Sequence, residues 1–425
     1  MSALPPGPSE SPLVQTLRWL LRPIAFLESC RRRFGDTFSV TFLGFETPMV
    51  MVSDPEAVRA LYSVPGHTLP PGRSATLEPI VGARSLLLLE GREHLARRRL
   101  MLPPFHGERM RAYEATVREV VAHNLEGWPE GEPFALHPHM QAITLEVILR
   151  AVFGVTDPRR QARLAEQLGA LLTGTAAPSL QLRVLLWRRF GGPDPLAPMQ
   201  ALRREIDAML AAEIAERRAD PREDILSLLV TARFEDGEPM DDAEIRDQLM
   251  TLLLAGHETT ATGLAWTFDL LLRHSHVLDR LTTGDEVYLR AVVSESLRLR
   301  PVIPLGGRRL SEELRVNGHV LPAGSDVTPA IWLTHTRPDR YPEPYAFRPE
   351  RFLENAPATY AWVPFGGGVR RCIGAAFAEM EMRVALAEIL ERRTLRPAGA
   401  AAERVARRNV TFSPRTGTQV IAGPR

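Results

Sequence analysis

A single cysteine, Cys372, stands between three consecutive glycines at positions 366–368 and a strongly helical segment that begins at Ala375. A thiolate there is favoured by the positive end of the helix dipole and by backbone N–H groups that glycines allow to approach closely. Three roles fit this cysteine: an inert buried thiol, a nucleophile or a metal ligand. No histidine follows Gly366 in the sequence to act as a neighbouring base. A single thiolate on a haem iron needs no second protein ligand, so this chemistry stays among the alternatives.

An acid and an alcohol, Glu258 and Thr259, lie side by side in the middle of a long helical pattern. The pattern begins at Asp241 and Glu244, which form a capping box, and continues for roughly 30 residues, or about 45 Å. Gly256 and the threonines weaken the helix at its centre. Either the helix bends there and its polar groups are paired, or a groove at Gly256 presents the acid and the alcohol to a ligand. The segment by itself favours neither.

Most of the predicted secondary structure that positions Cys372, Glu258 and Thr259 is helical. Apolar periodicity predicts one helix over residues 13–34 and almost continuous helical structure from about Gly91 to about Leu299. A last strong helix is predicted from Ala375 to about Leu390.

The β structure is predicted to be a minor part of the chain. Residues 37–42 and 48–52 are rich in β-branched and large apolar side chains, which predicts an antiparallel hairpin near the N-terminus. Short strands and turns are predicted between Pro301 and about Val363. We expect a mainly α fold with a minor β region, formed as one domain over residues 1–425, with residues 1–12 as a flexible segment.

The composition excludes several classes of function. The 425 residues include 52 basic and 51 acidic side chains, and the net charge of +1 provides no field that would hold a nucleic acid. Every basic residue is arginine, which excludes Schiff-base and P-loop lysine chemistry. Two cysteines suit a reducing compartment, and no run of about 18 apolar residues is present. We expect a cytoplasmic monomer with no membrane anchor.

Four motifs follow one another along the chain. Residues 255–259 read Ala-Gly-His-Glu-Thr, residues 295–298 read Glu-Ser-Leu-Arg, residues 349–352 read Pro-Glu-Arg-Phe, and residues 365–374 read Phe-Gly-Gly-Gly-Val-Arg-Arg-Cys-Ile-Gly. With these motifs at these separations, the chain resembles the cytochrome P450 haem-thiolate monooxygenases over nearly its whole length. The resemblance implies a single cytochrome P450-like fold, with the long central helix over the haem and the cysteine loop beneath it.

The resemblance also implies which residues bind the cofactor. It assigns Cys372 as the axial ligand of the iron of haem b, and Gly256 and Phe365 as further cofactor-binding residues. The haem propionates are assigned to four basic side chains: His94, Arg98, Arg308 and Arg370. Four neighbouring arginines are expected to be solvated or bonded to the backbone instead: Arg97, Arg99, Arg309 and Arg371.

Catalytic and structural roles follow from the same resemblance. Glu258 and Thr259 are assigned as the pair that delivers protons during oxygen activation. Glu295 and Arg298, which share one helix face at i and i+3, are expected to join Arg351 in a partly buried structural triad with no catalytic role.

The positions that correspond to the family's substrate pocket are mostly aliphatic. They indicate a hydrophobic small molecule such as a fatty acid, a terpenoid or a similar lipophilic metabolite. The pocket residues predicted in this way are Leu253, Ala255, Val302, Ile303 and Phe412.

The predicted partners are O₂, the substrate, and a separate ferredoxin with its reductase, which bring electrons from NAD(P)H. Arginines at 97–99, 109, 111, 370 and 371 are candidates for a basic face that docks an acidic ferredoxin. Two alternatives stay open: a haem-thiolate peroxygenase that runs on peroxide, and a haem-binding sensor with no enzymatic activity, which would not need Glu258 and Thr259.

Overall fold

Helices make up most of the structure, as the sequence predicts. The computed structural model describes residues 4–45, 47–64, 73–107, 109–155, 157–176, 187, 191–195, 197–281, 284–354, 357–408 and 410–425. Its α-helices are α1 Pro12–Leu21, α2 Pro23–Phe34, α3 Pro55–Ser63, α4 Arg73–Val81, α5 Gly91–Met101, α6 Arg109–Leu125, α7 Leu136–Ala151, α8 Pro158–Ala176, α9 Ala197–Ala219, α10 Ile225–Thr231, α11 Asp242–Leu271, α12 Ser275–Leu281, α13 Glu286–Leu299, α14 Ile331–His335, α15 Arg351–Glu354 and α16 Ala375–Arg392.

The strands form four small sheets. Their bounds are β1 Thr37–Val40, β2 Met49–Val52, β3 Pro133–Ala135, β4 Arg308–Arg309, β5 Leu314–Val316, β6 His319–Leu321, β7 Asp326–Pro329, β8 Arg393–Pro397, β9 Val405–Arg408, β10 Thr411–Pro414 and β11 Gln419–Pro424. The largest sheet has the order β1-β2-β7-β4. Within it β1 and β2 pair antiparallel with Thr37 opposite Val52, which confirms the predicted hairpin. The other sheets are β3-β11-β8, β9-β10 and β5-β6.

The chain divides into two compact units. The first unit comprises residues 1–71, 121–141 and 259–425, and the second comprises residues 72–120 and 142–258. All four sheets belong to the first unit, whereas the second unit is built from helices. No helix in the part of the chain that the structure describes is both long and apolar enough to cross a membrane.

The N-terminal region of the first unit differs from the prediction in two ways. The helix expected over residues 13–34 is two helices, because Pro23 cannot continue α1 and instead begins α2. Residues 4–10, which were expected to be flexible, are bonded to the fold. The Ser39 N–H donates to the Pro6 carbonyl at 3.0 Å, and the Gln15 amide donates to the Glu10 carbonyl at 2.7 Å.

Two apolar clusters form the core around the largest sheet. One cluster joins α1 and α2 to the strands through aromatic side chains: Trp19, Phe26, Phe38, Phe42, Trp332 and Phe412. The other packs α3 against β2, β7 and the β5-β6 hairpin, with Val58, Leu61 and Tyr62 contributed by α3. Through Tyr62 this second cluster reaches the glycine-rich loop.

The long central helix, α11, has the predicted length of 30 residues. The Asp241 carboxylate caps it by accepting a hydrogen bond from the Glu244 N–H at 2.8 Å, and this bond lowers the pKa of Asp241. The helix is continuous, with residues up to Glu258 counted in the second unit and residues from Thr259 in the first.

Candidate functional site

The cysteine loop of the first unit is shaped by Tyr62. Gly366 and Gly368 have φ values of +69° and +63°, a conformation that other residues rarely adopt. A Cβ at Gly367 would lie 2.6 Å from the Tyr62 ring, and one at Gly368 would collide with the Tyr62 carbonyl oxygen. The Cys372 N–H donates to the Phe365 carbonyl at 2.9 Å, which closes the loop. The thiol of Cys372 is exposed and lies two residues before Gly374, the N-cap of α16.

We expect Gly368→Ala to disrupt this loop. The new methyl group would combine a positive φ with a collision against backbone, and such strain costs on the order of 1–3 kcal/mol before any rearrangement. The measurement is the free energy of unfolding, together with the fraction of purified protein that carries haem. Gly399→Ala is the control, because nothing lies within 4 Å of a Cβ there. Equal stability and equal haem content in the two variants would contradict the close approach of Tyr62.

Two consecutive arginines near this loop have opposite surroundings. Arg309 makes a two-point ion pair with Asp326, at 2.8 and 2.9 Å. Arg308 is 6% exposed, and no described carboxylate pairs with it. Its Nη1 donates to the Gly307 carbonyl at 2.9 Å, and its buried Nε has no described partner. Burial lowers the pKa of Arg308, as expected for a cation without a counter-ion.

Glu295, Arg298 and Arg351 form a buried network in the first unit. Glu295 and Arg298 are inaccessible to solvent, with Arg298 Nε and Glu295 Oε2 2.6 Å apart. Arg351 Nε donates to the same carboxylate at 3.0 Å. Arg298 also donates to three carbonyl groups at 2.8–3.1 Å: that of His335 at the end of α14, and those of Pro344 and Ala346 in the chain that follows. The network therefore ties α13 to the chain that leads into the cysteine loop.

His335 is a neutral part of the same region. The Val363 N–H donates to its Nε2 at 2.8 Å, so Nδ1 carries the proton that is shared with the Arg298 carbonyl at 3.1 Å. Burial, together with the smaller effect of the nearby Arg298 guanidinium, lowers the pKa of His335 to about 3. Val363, which His335 holds, lies two residues before Phe365.

The middle of α11 has one partly exposed face. From Glu244 to Leu271 every residue of the helix is buried except five: Leu254, Ala255, Gly256, Glu258 and Thr259. Four of these, at i, i+1, i+4 and i+5, share one face of the helix. Leu253, predicted to line the pocket, is fully buried; Leu254 lies on the partly exposed face instead.

Gly256 has a packing role that the sequence did not indicate. A Cβ at this position would lie 3.1 Å from Ile148 Cδ1 of α7, so the glycine allows α7 to approach α11 closely. Thr144 of α7 donates to the His257 carbonyl at 3.0 Å. The position expected to open a groove is therefore filled from α7, and this contact gives no support to the assignment of Gly256 as a cofactor-binding residue.

In the second unit, α5 carries both predicted propionate ligands. His94 is buried and Arg98 is half-buried, one turn apart. Arg97, expected to be solvated or bonded to backbone, is instead partly buried and paired with Glu244 at 2.8 Å. Arg99 is exposed to solvent, as expected, and also pairs with the exposed Glu235. Their charges are therefore neutralised locally, since acidic side chains of the described chain compensate them.

The segment before α5 is fastened to α11 by side chains. The Leu86 N–H donates to Gln248 Oε1 at 3.0 Å, and the Ser85 and Thr251 hydroxyl groups are 2.6 Å apart. The Gln248 amide also donates to the Arg84 carbonyl at 2.6 Å. These bonds hold the leucines at 86–89 beside the turn that precedes Leu254.

The remaining predicted pocket residues lie in the first unit. Val302 is buried, Ile303 is partly exposed, and the Phe412 N–H donates to the Val302 carbonyl at 2.8 Å. Phe412 is 2% exposed, and its ring lies 5.7 Å from that of Trp19. Phe412 is therefore a core residue, and the structure does not place its side chain on an accessible surface.

The sequence matches a known protein family over nearly its whole length. A sequence model of the family described as Cytochrome P450 matches residues 5–418. The chain belongs to the cytochrome P450 family. It is 42% identical to cytochrome P450 135B1 of Mycobacterium bovis, over 98% of this chain and 91% of the relative. Cytochrome P450 137 of Mycobacterium tuberculosis is 39% identical, over 92% of this chain and 84% of the relative.

Solved cytochrome P450 structures share the fold. Retinoic acid-bound cyanobacterial CYP120A1 superposes with a TM-score of 0.85 at 25% identity, with all of both chains covered. The haem domain of cytochrome P450DA gives a TM-score of 0.85 at 23% identity, over 100% of this chain and 98% of that one. The mainly α cytochrome P450 fold predicted from the sequence is confirmed, and the protein is an oxidoreductase of the monooxygenase class.

The residues of the first unit fit the haem that the family implies. The haem of a haem-thiolate enzyme takes a cysteine thiolate as its iron ligand, and its propionates are stabilised by cations. Cys372 presents an exposed thiol on a loop held in shape by Tyr62, and Arg308 is a buried cation with no described counter-ion. An anion beside Arg308 would compensate the cost of burying its charge.

Tyr62 and Leu254 are the site residues that sequence reasoning missed. A helical step of four residues back from Glu258 identifies Leu254, so periodicity could have found it. No such signal exists for Tyr62, which is distant in sequence from the glycines that it contacts. Its ring lies 5.8 Å from the Arg308 guanidinium and 6.0 Å from the Tyr360 ring, and burial raises its pKa to about 12.

Proposed function

We propose that this cytochrome P450 is an O₂-dependent monooxygenase that binds haem b through Cys372 and inserts one oxygen atom into a lipophilic small molecule. The observation that carries the proposal is the pairing, within one unit, of an exposed thiol on a strained glycine-rich loop with the uncompensated buried cation of Arg308. When bound, haem with a thiolate ligand supplies the reductive activation of dioxygen.

The chain's own basic residues hold the cofactor in this proposal. Arg308 and Arg370 of the first unit, with His94 and Arg98 of the second, bind the propionates. Arg308 is the best supported of the four because Arg309, next to it, already has Asp326 as its counter-ion. Phe365, at the start of the cysteine loop, packs against Trp362, with the two ring centroids 6.2 Å apart.

Glu258 and Thr259 deliver protons in the proposed reaction. Both are partly exposed on the one accessible face of α11, so each can exchange protons with water. The Glu258 carboxylate takes a proton from water and, once protonated, passes it on, and the Thr259 hydroxyl group donates the hydrogen bond that orients the proton acceptor. Their neighbour His257 is buried on another face of the helix.

We expect Thr259→Ala to uncouple electron use from product formation. Without the hydroxyl group, reduced oxygen is released as hydrogen peroxide, and product formed per NAD(P)H falls by about tenfold or more. The measurement is product, peroxide and NAD(P)H in the same reaction. Thr260→Ala is the control, because Thr260 is buried one residue farther along the same helix. Normal coupling in Thr259→Ala would remove this residue from the proton path.

The substrate in this proposal is a fatty acid, a terpenoid or a similar lipophilic metabolite. Aliphatic side chains support this choice of substrate class. Leu254 and Ala255 lie on the accessible face of α11. The leucines at 86–89 are held in place by the hydrogen bonds of Gln248 and Thr251. In the first unit, Val302 and Ile303 add further aliphatic surface. The solved structure of CYP120A1, which shares the fold, holds bound retinoic acid, a lipophilic carboxylic acid.

A separate ferredoxin with its NAD(P)H-dependent reductase supplies the electrons in this proposal. Three arginines on the surface support a docking role for an acidic partner, because they are exposed and no described carboxylate forms an ion pair with them: Arg109, Arg111 and Arg371. Arg97 and Arg99 are weaker candidates, since Glu244 and Glu235 neutralise them. We place the monomeric enzyme in the cytoplasm, a reducing compartment that suits a chain with only two cysteines.

The deciding experiment is an absorption spectrum of the reduced protein under carbon monoxide, followed by turnover assays. A strongly red-shifted Soret band establishes a thiolate-ligated haem. Lipophilic acids and terpenoids are then screened for a change in spin state, and hits are oxidised with either a ferredoxin chain or peroxide. Turnover with peroxide alone would favour a peroxygenase, and ligand binding without any turnover would favour a sensor.

A further inference from the structure

Helix α1 turns its apolar side chains outward. Six residues of α1 are exposed: Pro12 at its first position, and five aliphatic residues that span about one third of the helix circumference, namely Leu13, Val14, Leu17, Leu20 and Leu21. Leu21 is 75% exposed. A surface helix of a globular protein normally shows the opposite arrangement, with leucines inward and polar residues toward water.

The orientation of α1 is imposed by its other face. Gln15 is buried, and its side chain donates to the Glu10 carbonyl at 2.7 Å and accepts from the Thr41 N–H at 2.9 Å. Trp19 packs in the core against Phe42 and Phe412, with ring centroids 5.9 and 5.7 Å apart. Because these contacts are specific, a rotation of α1 that buried the leucines would break a hydrogen-bonded network and expose a tryptophan.

The loop between β1 and β2 extends the apolar surface. The Leu43 N–H donates to the Thr16 hydroxyl at 2.8 Å, which fixes the loop against α1. Leu43 is 61% exposed and Phe45 is 46% exposed. Eight of the fourteen exposed large hydrophobic residues found in the described chain lie between residues 4 and 45. We call the surface formed by residues 13, 14, 17, 20, 21, 43 and 45 the leucine patch.

The charges close to the leucine patch are positive. Arg22 follows α1 directly, and Arg32 and Arg33 are exposed on α2, which packs against α1. No described carboxylate forms an ion pair with any of these three arginines. The described acidic residues of this region are already engaged: Glu10 with Arg18, Glu28 with Tyr345, and Asp36 with Arg337.

We propose that the leucine patch docks the enzyme onto the surface of an anionic lipid bilayer. Aliphatic side chains around a helix arc, a phenylalanine at a loop tip and arginines at the margin are the features of an interfacial helix that inserts between headgroups. Within the patch no polar side chain offers the hydrogen bonds that protein interfaces usually contain, and seven side chains are too few for a stable dimer. Insertion into a bilayer requires neither interfacial hydrogen bonds nor a large number of contacting side chains.

Binding to vesicles tests this proposal. The haem-loaded protein is sedimented with phosphatidylcholine vesicles that contain or lack phosphatidylglycerol, and the double variant Leu17→Ser, Leu21→Ser is compared with the control Val287→Ser, Val410→Ser. The control residues are 66% and 62% exposed but lie outside the patch. We expect phosphatidylglycerol-dependent binding that falls by about tenfold or more in the patch variant and is unchanged in the control. Thermal melting verifies that both variants are folded.

Three outcomes would overturn the proposal. The first is that the wild-type protein does not bind either kind of vesicle at low salt. The second is equal binding by the patch variant and the wild type. The third is concentration-dependent self-association, measured by sedimentation velocity, that the patch variant loses without any change in vesicle binding; it would assign the leucine patch to a second copy of the chain. None of these results depends on turnover.

Discussion

Cys372→Ser abolishes the thiolate-type spectrum of the reduced, carbon monoxide-bound protein. The oxygen of serine is a poor substitute for an electron-rich thiolate, so the red-shifted Soret band disappears and monooxygenase turnover is lost. The loop itself should survive, because Cys372 is exposed and the loop is closed by a backbone bond from residue 372 to Phe365. The measurements are the spectrum, the haem content and product formation.

The second cysteine is the matched control for this prediction. Cys30 is buried in the N-terminal apolar cluster, and burial raises its pKa to about 11, so it stays a neutral thiol. Cys30→Ala should leave the red-shifted band in place while it lowers stability slightly. A red-shifted band that persisted in Cys372→Ser, or that was lost in Cys30→Ala, would mean that another residue ligates the iron.

Glu295→Gln should strongly destabilise the folded protein. It removes the only charge that compensates Arg298 and Arg351 within the buried network, and the carboxylate also accepts from the Arg348 N–H at 2.9 Å. Breaking one partner of a buried ion pair costs about 3–5 kcal/mol. The measurement is the midpoint and slope of a denaturant titration, read by circular dichroism.

An exposed pair with the same spacing is the control for Glu295→Gln. Glu56 and Arg59 of α3 are also at i and i+3, 2.8 Å apart, but both side chains are more than half exposed. Glu56→Gln should change the free energy of unfolding by no more than about 0.5 kcal/mol. A small effect for Glu295→Gln as well would mean that water reaches the network, and that the triad does not hold the chain before the cysteine loop.

The effect of Glu295→Gln on haem should follow its effect on stability. Arg298 binds the carbonyl groups of His335, Pro344 and Ala346, and His335 in turn accepts from Val363, close to Phe365. Loosening this chain of contacts should therefore loosen the cysteine loop. Haem content that falls together with stability in this variant, at unchanged secondary structure, would support the structural role assigned to the triad.

The sequence by itself determined the elements whose signals are local. The Asp241 cap and the apolar period define α11 to within a residue, and two segments rich in β-branched and large apolar residues define the β1-β2 hairpin. The cysteine loop and the Glu295–Arg298 pair are also encoded in short contiguous segments. Because each of the four motifs is such a segment, they could be read directly from the sequence and sufficed to identify the family. The exception is Pro23, whose effect on the helix over residues 13–34 was local but overlooked.

Only the tertiary structure determined which side chains are buried and which residues they contact. Only the fold shows that Asp326 neutralises Arg309 and leaves Arg308 uncompensated, that Tyr62 fills the space which glycines leave open, and that Ile148 occupies the groove expected at Gly256. It also turns Leu254 toward the accessible face and the leucines of α1 toward solvent. These partners are far apart in sequence, so spacing carries no information about them; the free energy of desolvating each charge or apolar face depends on which elements pack beside it.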